Sequence, residues 1–180
     1  MIESQVPGLS VSKRTTNEIK ETVIENLPDY KYNGARSLVM LHQIHLKSFL
    51  AAWREANKAG VVLPQTDDPD YESMHTLLFH VIRSSRGYIR WICENLEIEI
   101  PEFEPLPPID KIEDQAESYI EYLIERWDSP LRSIDTEKFF VPVFKSNWEV
   151  DYCIESMLEH AVMHPIRHEF QLRNLMEDIK

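Results

Sequence analysis

The residues of this chain whose type and spacing could do chemistry are its histidines. Seven are present, and all lie in stretches with helical hydrophobic periodicity. His164 and His168 are four residues apart, so a helix places both on one face with their Cβ atoms about 5–6 Å apart. The core-facing seam of that helix reads Ile154, Met157, Ala161, His164, His168, Leu172 and Leu175. Two imidazoles at seam positions, where a plain bundle has Leu or Ile, suit the binding of one divalent metal ion.

His80 is the candidate for a third imidazole from another helix. One stripe of that helix reads Ser73, Leu77, His80, Ser84, Gly87 and Trp91. The small residues Ser84 and Gly87 leave space for a pocket beside His80. Three neutral imidazoles can hold one metal ion and leave a position open for water or substrate, as in catalytic zinc sites. The competing interpretation is that all three histidines only fill the core.

The other histidines have weaker patterns. His160 lies one turn before His164 but off the seam, which predicts a place at the rim of the site or behind the ligands. His75 is about 140° around the helix from His80, so the two cannot face one site. His42 and His45 both fit the inward stripe of the first long helix, and His45 is the better candidate for a pocket residue.

Pro165 lies between the two paired histidines. It lacks the backbone N–H that would bond the Ala161 carbonyl, so it should kink the helix about one turn before His164. The kink either aims His164 at the metal or only bends the helix around the core. Neither His160 nor His164 is followed by Glu, which excludes the zincin motif and its catalytic base.

Four long periodic segments, four glycines and clustered prolines indicate an all-α four-helix bundle. The segments are predicted at Ala35–Gly60, Tyr71–Leu96, Lys111–Leu131 and Trp148–Ile179. Residues 1–34 are predicted to form an N-terminal extension, with one short helix ending before Pro28, and residues 35–180 the bundle domain. The alternating residues 96–100 suggest a strand, but the sequence offers it no partner. The apolar loop containing Phe139, Phe140 and Phe144 should pack on the bundle or on a second subunit.

Charge and cysteine content narrow the function classes. Lys and Arg total 19 against 31 Asp and Glu, a net charge of −12. Such a chain repels phosphate and anionic lipid, so neither nucleic acid nor membrane is an expected partner. No apolar run approaches the ~20 residues of a membrane span, and the N-terminus does not resemble a signal peptide. Cys93 and Cys153 are expected to be reduced thiols in a cytoplasmic protein.

The stretch from His164 to Leu172 resembles the fourth-helix signature of the DinB-like (YfiT-like) metalloenzymes. In that family a second His follows the first by four residues, and a Gln-Leu follows three residues later. The stretch HTLLFHVIRSSRGYIRWI, which contains His80, is similar to the family's other metal-bearing segment. The resemblance covers roughly residues 35–179. This chain departs from the family at Pro165 and at Glu169-Phe170, where Arg-Gly is common.

The resemblance implies a cytoplasmic protein, commonly a homodimer, with zinc or nickel held by His80, His164 and His168. Characterised relatives include transferases and an isomerase that use a low-molecular-weight thiol such as bacillithiol or mycothiol. A three-histidine site keeps its +2 charge, so an entering thiol would lose its proton, and water there would form hydroxide near neutral pH. Arg167 and Arg173 either face an anionic substrate or are ordinary surface residues.

Three functions therefore remain open. The first is a metal-dependent thiol transferase that acts on a small electrophile. The second is a metal-dependent hydrolase, which needs no thiol. The third is a non-catalytic module that binds a metal or a small ligand.

Overall fold

The computed structural model describes residues 28–179 and confirms the all-α bundle. Its helices are α1 (Asn33–Lys58), α2 (Met74–Asn95), α3 (Ile112–Asp128) and α4 (Ile154–Asp178). Two short strands, β1 (Phe144–Lys145) and β2 (Asp151–Tyr152), form an antiparallel hairpin between α3 and α4. The predicted short helix before Pro28 lies outside the described residues. Among the described helices, none combines the length and apolar character needed to cross a membrane.

The end of α1 follows the sequence signal at Gly60. This residue has φ +75°, a left-handed conformation that costs glycine little. The Gly60 N–H donates to the Asn57 carbonyl and the Val61 N–H to the Ala56 carbonyl, at 3.1 and 3.0 Å. These two bonds form a Schellman motif, which satisfies carbonyls that the helix end leaves free.

The start of α2 lies three residues later than predicted. Ser73 and Thr76 form a capping box, in which each side chain accepts a bond from the other's backbone N–H. The preceding residues, Pro69–Tyr71, form a single 3₁₀ turn, and the Asp68 carboxylate accepts from the Asp70 N–H at 3.0 Å. This turn packs against α2 and fixes the positions of Asp70 and Tyr71.

The core runs the length of the bundle, with Trp53 buried toward one end and Trp127 toward the other. Two helices bury a continuous inward stripe: Met74, Leu78, Val81, Tyr88 and Ile92 on α2, and Ile112, Ala116, Tyr119, Leu123 and Trp127 on α3. On α1 the core-facing side includes His42 and not Leu41. Leu41 is 42% exposed, whereas His42 is only 1% exposed and faces the core.

The predicted start of α4 at Trp148 is also wrong. The helix begins at Ile154, and Trp148 lies in the turn of the hairpin. Ser146 closes that turn, because its N–H donates to the Val150 carbonyl at 2.8 Å and its Oγ accepts from the Val150 N–H at 3.1 Å. Glu149 in the turn has φ +67°. The hairpin places the turn residues beside α4 instead of within it.

The apolar loop after α3 packs on the bundle through one of its phenylalanines. Phe139 is fully buried, Phe144 is half-buried in β1, and Phe140 is exposed. The alternating residues 96–100 do not form a strand. The third predicted helix is shorter than expected, since α3 ends at Asp128, two residues before Pro130.

Candidate metal centre

The three predicted ligand histidines lie together between α2 and α4. Each offers one ligand atom, and these atoms lie within 4.8 Å of one another. The Nε2 atoms of His80 and His164 are 2.9 Å apart. The ring centroids of His164 and His168 are 4.7 Å apart, as expected for an i, i+4 pair on one face. Four-coordinate zinc with bonds of about 2.1 Å spaces its nitrogen ligands by about 3.4 Å, so the cluster is close enough to hold a metal ion.

Asp70 orients His80 from the turn before α2. Its Oδ2 accepts from the Nδ1–H of His80 at 2.7 Å, which leaves the Nε2 lone pair directed at the other imidazoles. The guanidinium of Arg83 bonds both carboxylate oxygens of Asp70, at 3.0 and 2.7 Å. A carboxylate behind a histidine is the usual device that fixes the ring and its tautomer in a metal site.

Gln171 has the corresponding position behind His168. Its Oε1 accepts from the Nδ1–H of His168 at 3.3 Å, so Nε2 again is the free ligand atom. The two acidic residues next to the α4 histidines in the sequence do not have this role. Glu159 is exposed, and Glu169 forms an ion pair with Arg173 at 2.8 Å.

Burial keeps the two α4 imidazoles neutral. Burial, together with positive charge on His168 and His80, lowers the pKa of His164 to about 2. Burial likewise lowers the pKa of His168 to about 4, against the opposing effect of its bond to Gln171. Near neutral pH both rings therefore have unprotonated nitrogens, the form that binds metal ions.

A cavity of about 580 Å³ opens beside the cluster. The stripe of α2 predicted to border a pocket does so, because His80, Ser84, Gly87 and Trp91 all line it. Tyr71, from the turn before α2, closes one side, and its ring centroid is 5.9 Å from that of His168. Clefts of roughly 300–1,000 Å³ are typical of sites for small molecules.

The remaining histidines fall outside the cluster. His160 lines the cavity at its rim, where its ring stacks on Trp148 at 5.3 Å and its Nδ1 is 3.2 Å from the Tyr152 hydroxyl. His75 faces away from the site, as predicted, and pairs with Glu113 at 3.3 Å.

Neither His42 nor His45 lines the cavity. His42 is buried between α4 and α2, where it bonds the Ala161 carbonyl and the Ser85 hydroxyl. The expectation that His45 is a pocket residue is wrong, because His45 is half-buried outside the cavity. The Ala161 carbonyl, which Pro165 leaves without its helical hydrogen bond, is therefore bonded by His42 instead.

The residues that sequence reasoning missed are Asp70, Tyr71 and Trp148. Asp70 was assigned to the loop before the second helix and Tyr71 to the first residue of that helix, whereas a 3₁₀ turn brings both close to His80. The one available signal was the sequence Asp68-Pro69-Asp70, which is typical of a capped turn. Trp148 reaches the cavity because the hairpin, not a helix, precedes α4.

The fold and the site thus define an all-α helical bundle whose three clustered histidines are close enough to hold a metal ion. No protein-family model matches the sequence. No curated protein and no solved structure matches it either. Membership of the DinB-like family remains a prediction that rests on the histidines, the Gln-Leu that follows them and the bundle.

Proposed function

We propose that this protein is a mononuclear metal-dependent enzyme of the DinB-like type that transfers a low-molecular-weight thiol to a small electrophile. The observation that carries the proposal is the cluster of His80, His164 and His168 on the wall of a cavity of about 580 Å³. A structural metal site is closed by four protein ligands, whereas a catalytic zinc site has three and keeps one position for a reactant.

The ligand set suits zinc or nickel, since imidazole is a common ligand for both. A bound divalent ion would supply Lewis acidity, which lowers the pKa of a thiol or water molecule that enters the open position. The protein's own contribution is to hold three imidazoles in place. Asp70 does this for His80 and Gln171 for His168.

The size and lining of the cavity favour transfer over simple hydrolysis. A volume of about 580 Å³ has room for a thiol and an electrophile side by side. The walls near the cluster are aromatic, including Tyr71, Tyr88 and Trp91, so they exclude bulk water from one side of the reactants. Water as the reactant would make the same site a hydrolase, and a site without turnover would be a binding module.

A cytoplasmic location is part of the proposal. Cys93 and Cys153 are the chain's two cysteines and are not joined in a disulfide. Burial raises the pKa of the Cys93 thiol to about 12, so this residue is not a reactive nucleophile. We also propose, from the family resemblance, that the protein is a homodimer.

The test is a thiol-transfer assay with monochlorobimane as electrophile and bacillithiol, mycothiol, glutathione and cysteine as thiols. Wild-type protein loaded with zinc or nickel should accelerate conjugation of at least one thiol. The variant His80→Ala should lose this activity, and the control His75→Ala, on the same helix but outside the cluster, should keep it. Turnover of a nitrophenyl ester without thiol would instead support the hydrolase. Equal rates in wild type and His80→Ala would contradict both the transferase and the hydrolase proposals.

A further inference from the structure

The two arginines on the cavity wall differ in their partners. Arg83 is held by both oxygens of Asp70. Arg167 is exposed and lines the same cavity, yet its side chain makes no ion pair or hydrogen bond with any other residue of 28–179. Arg173, the other arginine considered for binding an anionic substrate, forms ion pairs with Glu169 and Glu55 instead. Only Arg167 therefore brings to the cavity a guanidinium without a carboxylate partner in the described part of the chain.

Arg167 is directly beside the three-histidine cluster. It lies on α4 between His164 and His168, one residue before the latter. Burial lowers the pKa of His160, and the positive charge of Arg167 lowers it further. The same charge opposes the rise that burial causes in the pKa of Tyr71. Arg167 lines the cavity together with His160 and Tyr71, so its side chain borders the cavity.

The carboxylate on the cavity wall does not neutralise Arg167. Asp68 is the acidic residue that lines the cavity, and its Oδ1 accepts from the backbone N–H of Asp70 within its own turn. Arg83 is paired with Asp70, so among residues 28–179 Arg167 is the cavity guanidinium without a carboxylate within bonding distance, although the Asp68 carboxylate lines the same cavity. That charge matches a single carboxylate better than a phosphate monoester, which carries nearly two negative charges near neutral pH.

The remaining wall suits a planar apolar group. Trp91 of α2 and Trp148 of the hairpin turn both line the cavity, together with Met157. Trp148 is 44% exposed although it is a large apolar side chain. Aromatic side chains of this size supply much of the binding energy of small-molecule sites, since they bury a large area with little loss of rotamer freedom.

We propose that the cavity binds a small carboxylic acid with a planar apolar group, the carboxylate on Arg167 and the apolar group against Trp91 and Trp148. This ligand class rests on the proposed function, since such an acid would be the electrophilic substrate that reacts beside the histidines. The guanidinium offers two parallel N–H groups, the geometry that a carboxylate accepts. Binding through Arg167 does not itself require a metal ion, which allows the two proposals to be tested separately.

The test uses 3-phenylpropanoate and its neutral isostere 3-phenylpropanamide, titrated calorimetrically into EDTA-treated, metal-free protein. The wild type should bind the carboxylate about tenfold more tightly than the amide, the effect of one charge-assisted hydrogen-bonded pair. Arg167→Gln should bring the two affinities to within about twofold, and Arg167→Lys should keep part of the preference. The matched control is Arg90→Gln, which removes the same charge from α2 at an exposed pair with Glu94.

Each alternative outcome is decisive. Equal binding of the two probes by the wild type, an unchanged preference in Arg167→Gln, or no binding of either probe would overturn the proposal. Trp148→Ala should weaken both probes by a similar factor, and an unaltered affinity there would overturn the assignment of the apolar wall. If the protein takes up no metal but discriminates the probes through Arg167, the carboxylate site stands and the metal-dependent function fails.

Discussion

His42 of α1 supplies the hydrogen bond that Pro165 of α4 cannot make. Pro165 has no N–H for the Ala161 carbonyl four residues earlier, and the Nδ1–H of His42 donates to that carbonyl at 2.8 Å. The Nε2 of His42 in turn accepts from the Ser85 hydroxyl at 2.9 Å. The helix segment around Pro165 is therefore held by a buried polar chain that joins α1, α2 and α4.

This relationship predicts that the effects of His42 and Pro165 on stability are coupled. His42→Leu leaves the Ala161 carbonyl and the Ser85 hydroxyl buried without partners, which should cost about 2–4 kcal/mol of unfolding free energy. In a Pro165→Ala background the backbone N–H of residue 165 is available to the carbonyl. His42→Leu should then cost at least about 1 kcal/mol less.

Urea denaturation of the four proteins in this cycle measures the coupling. The control pair is His75→Leu with Pro165→Ala, two sites without a shared partner, whose effects should add to within about 0.5 kcal/mol. Additive effects of His42→Leu and Pro165→Ala would show that His42 does not serve the carbonyl that Pro165 leaves free.

The buried state of His42 also predicts a pH dependence of stability. Burial, assisted by any charge on His45, lowers the pKa of His42 to about 3, while the bond to Ala161 opposes the shift. The unfolded chain protonates this imidazole below about pH 6.5, and the folded protein does not until about pH 3. The folded state therefore loses stability as the pH falls through this range, by about 2 kcal/mol at pH 5 from this one group.

Comparison with His42→Leu isolates this contribution. Between pH 7 and pH 5 the variant should lose about 2 kcal/mol less unfolding free energy than the wild type, since it lacks the group. Parallel losses in the two proteins over this range would mean that His42 titrates normally in the folded state.

Asp70 predicts a further effect on metal affinity. Asp70→Asn keeps the size of the side chain but weakens the bond that orients His80, so zinc affinity should fall by about 10–100-fold. Asp67→Asn, an exposed neighbour in the same loop, is the matched control and should bind like the wild type. Competition with a chromophoric zinc chelator measures the dissociation constants. Equal zinc affinities in Asp70→Asn and Asp67→Asn would show that Asp70 does not support the metal site through His80.

The sequence predicted the helices of the bundle and the pair of His164 and His168 because both depend on helical spacing within one element. His164 and His168 share a face by their separation, and the stripe of His80 borders the cavity for the same reason. The prediction that His45 lines the pocket was wrong, and spacing does not separate it from His42, since residues three apart lie only about 60° apart around a helix. His42 is held in the core by its hydrogen bond to the Ala161 carbonyl. That carbonyl belongs to α4, so the pattern of α1 alone does not identify His42.

The parts that were missed depend on short irregular segments. Asp70 reaches His80 only through a single 3₁₀ turn. The hairpin has two-residue strands, too short for an alternating pattern, and residues 148–153 contain no helix breaker. Trp148 was therefore assigned to a helix, although it lines the cavity.

The most direct test of the metal centre is elemental analysis of protein purified without an affinity tag. Wild type and the His75→Ala control should each contain about one zinc or nickel per chain, the content of a mononuclear site. His80→Ala, His164→Ala and His168→Ala should each lose it, and added zinc should raise the melting temperature of the wild type but not of these variants. The metal site would be contradicted if the wild type contains no metal and added zinc or nickel leaves its melting temperature unchanged. The three histidines would then be core residues.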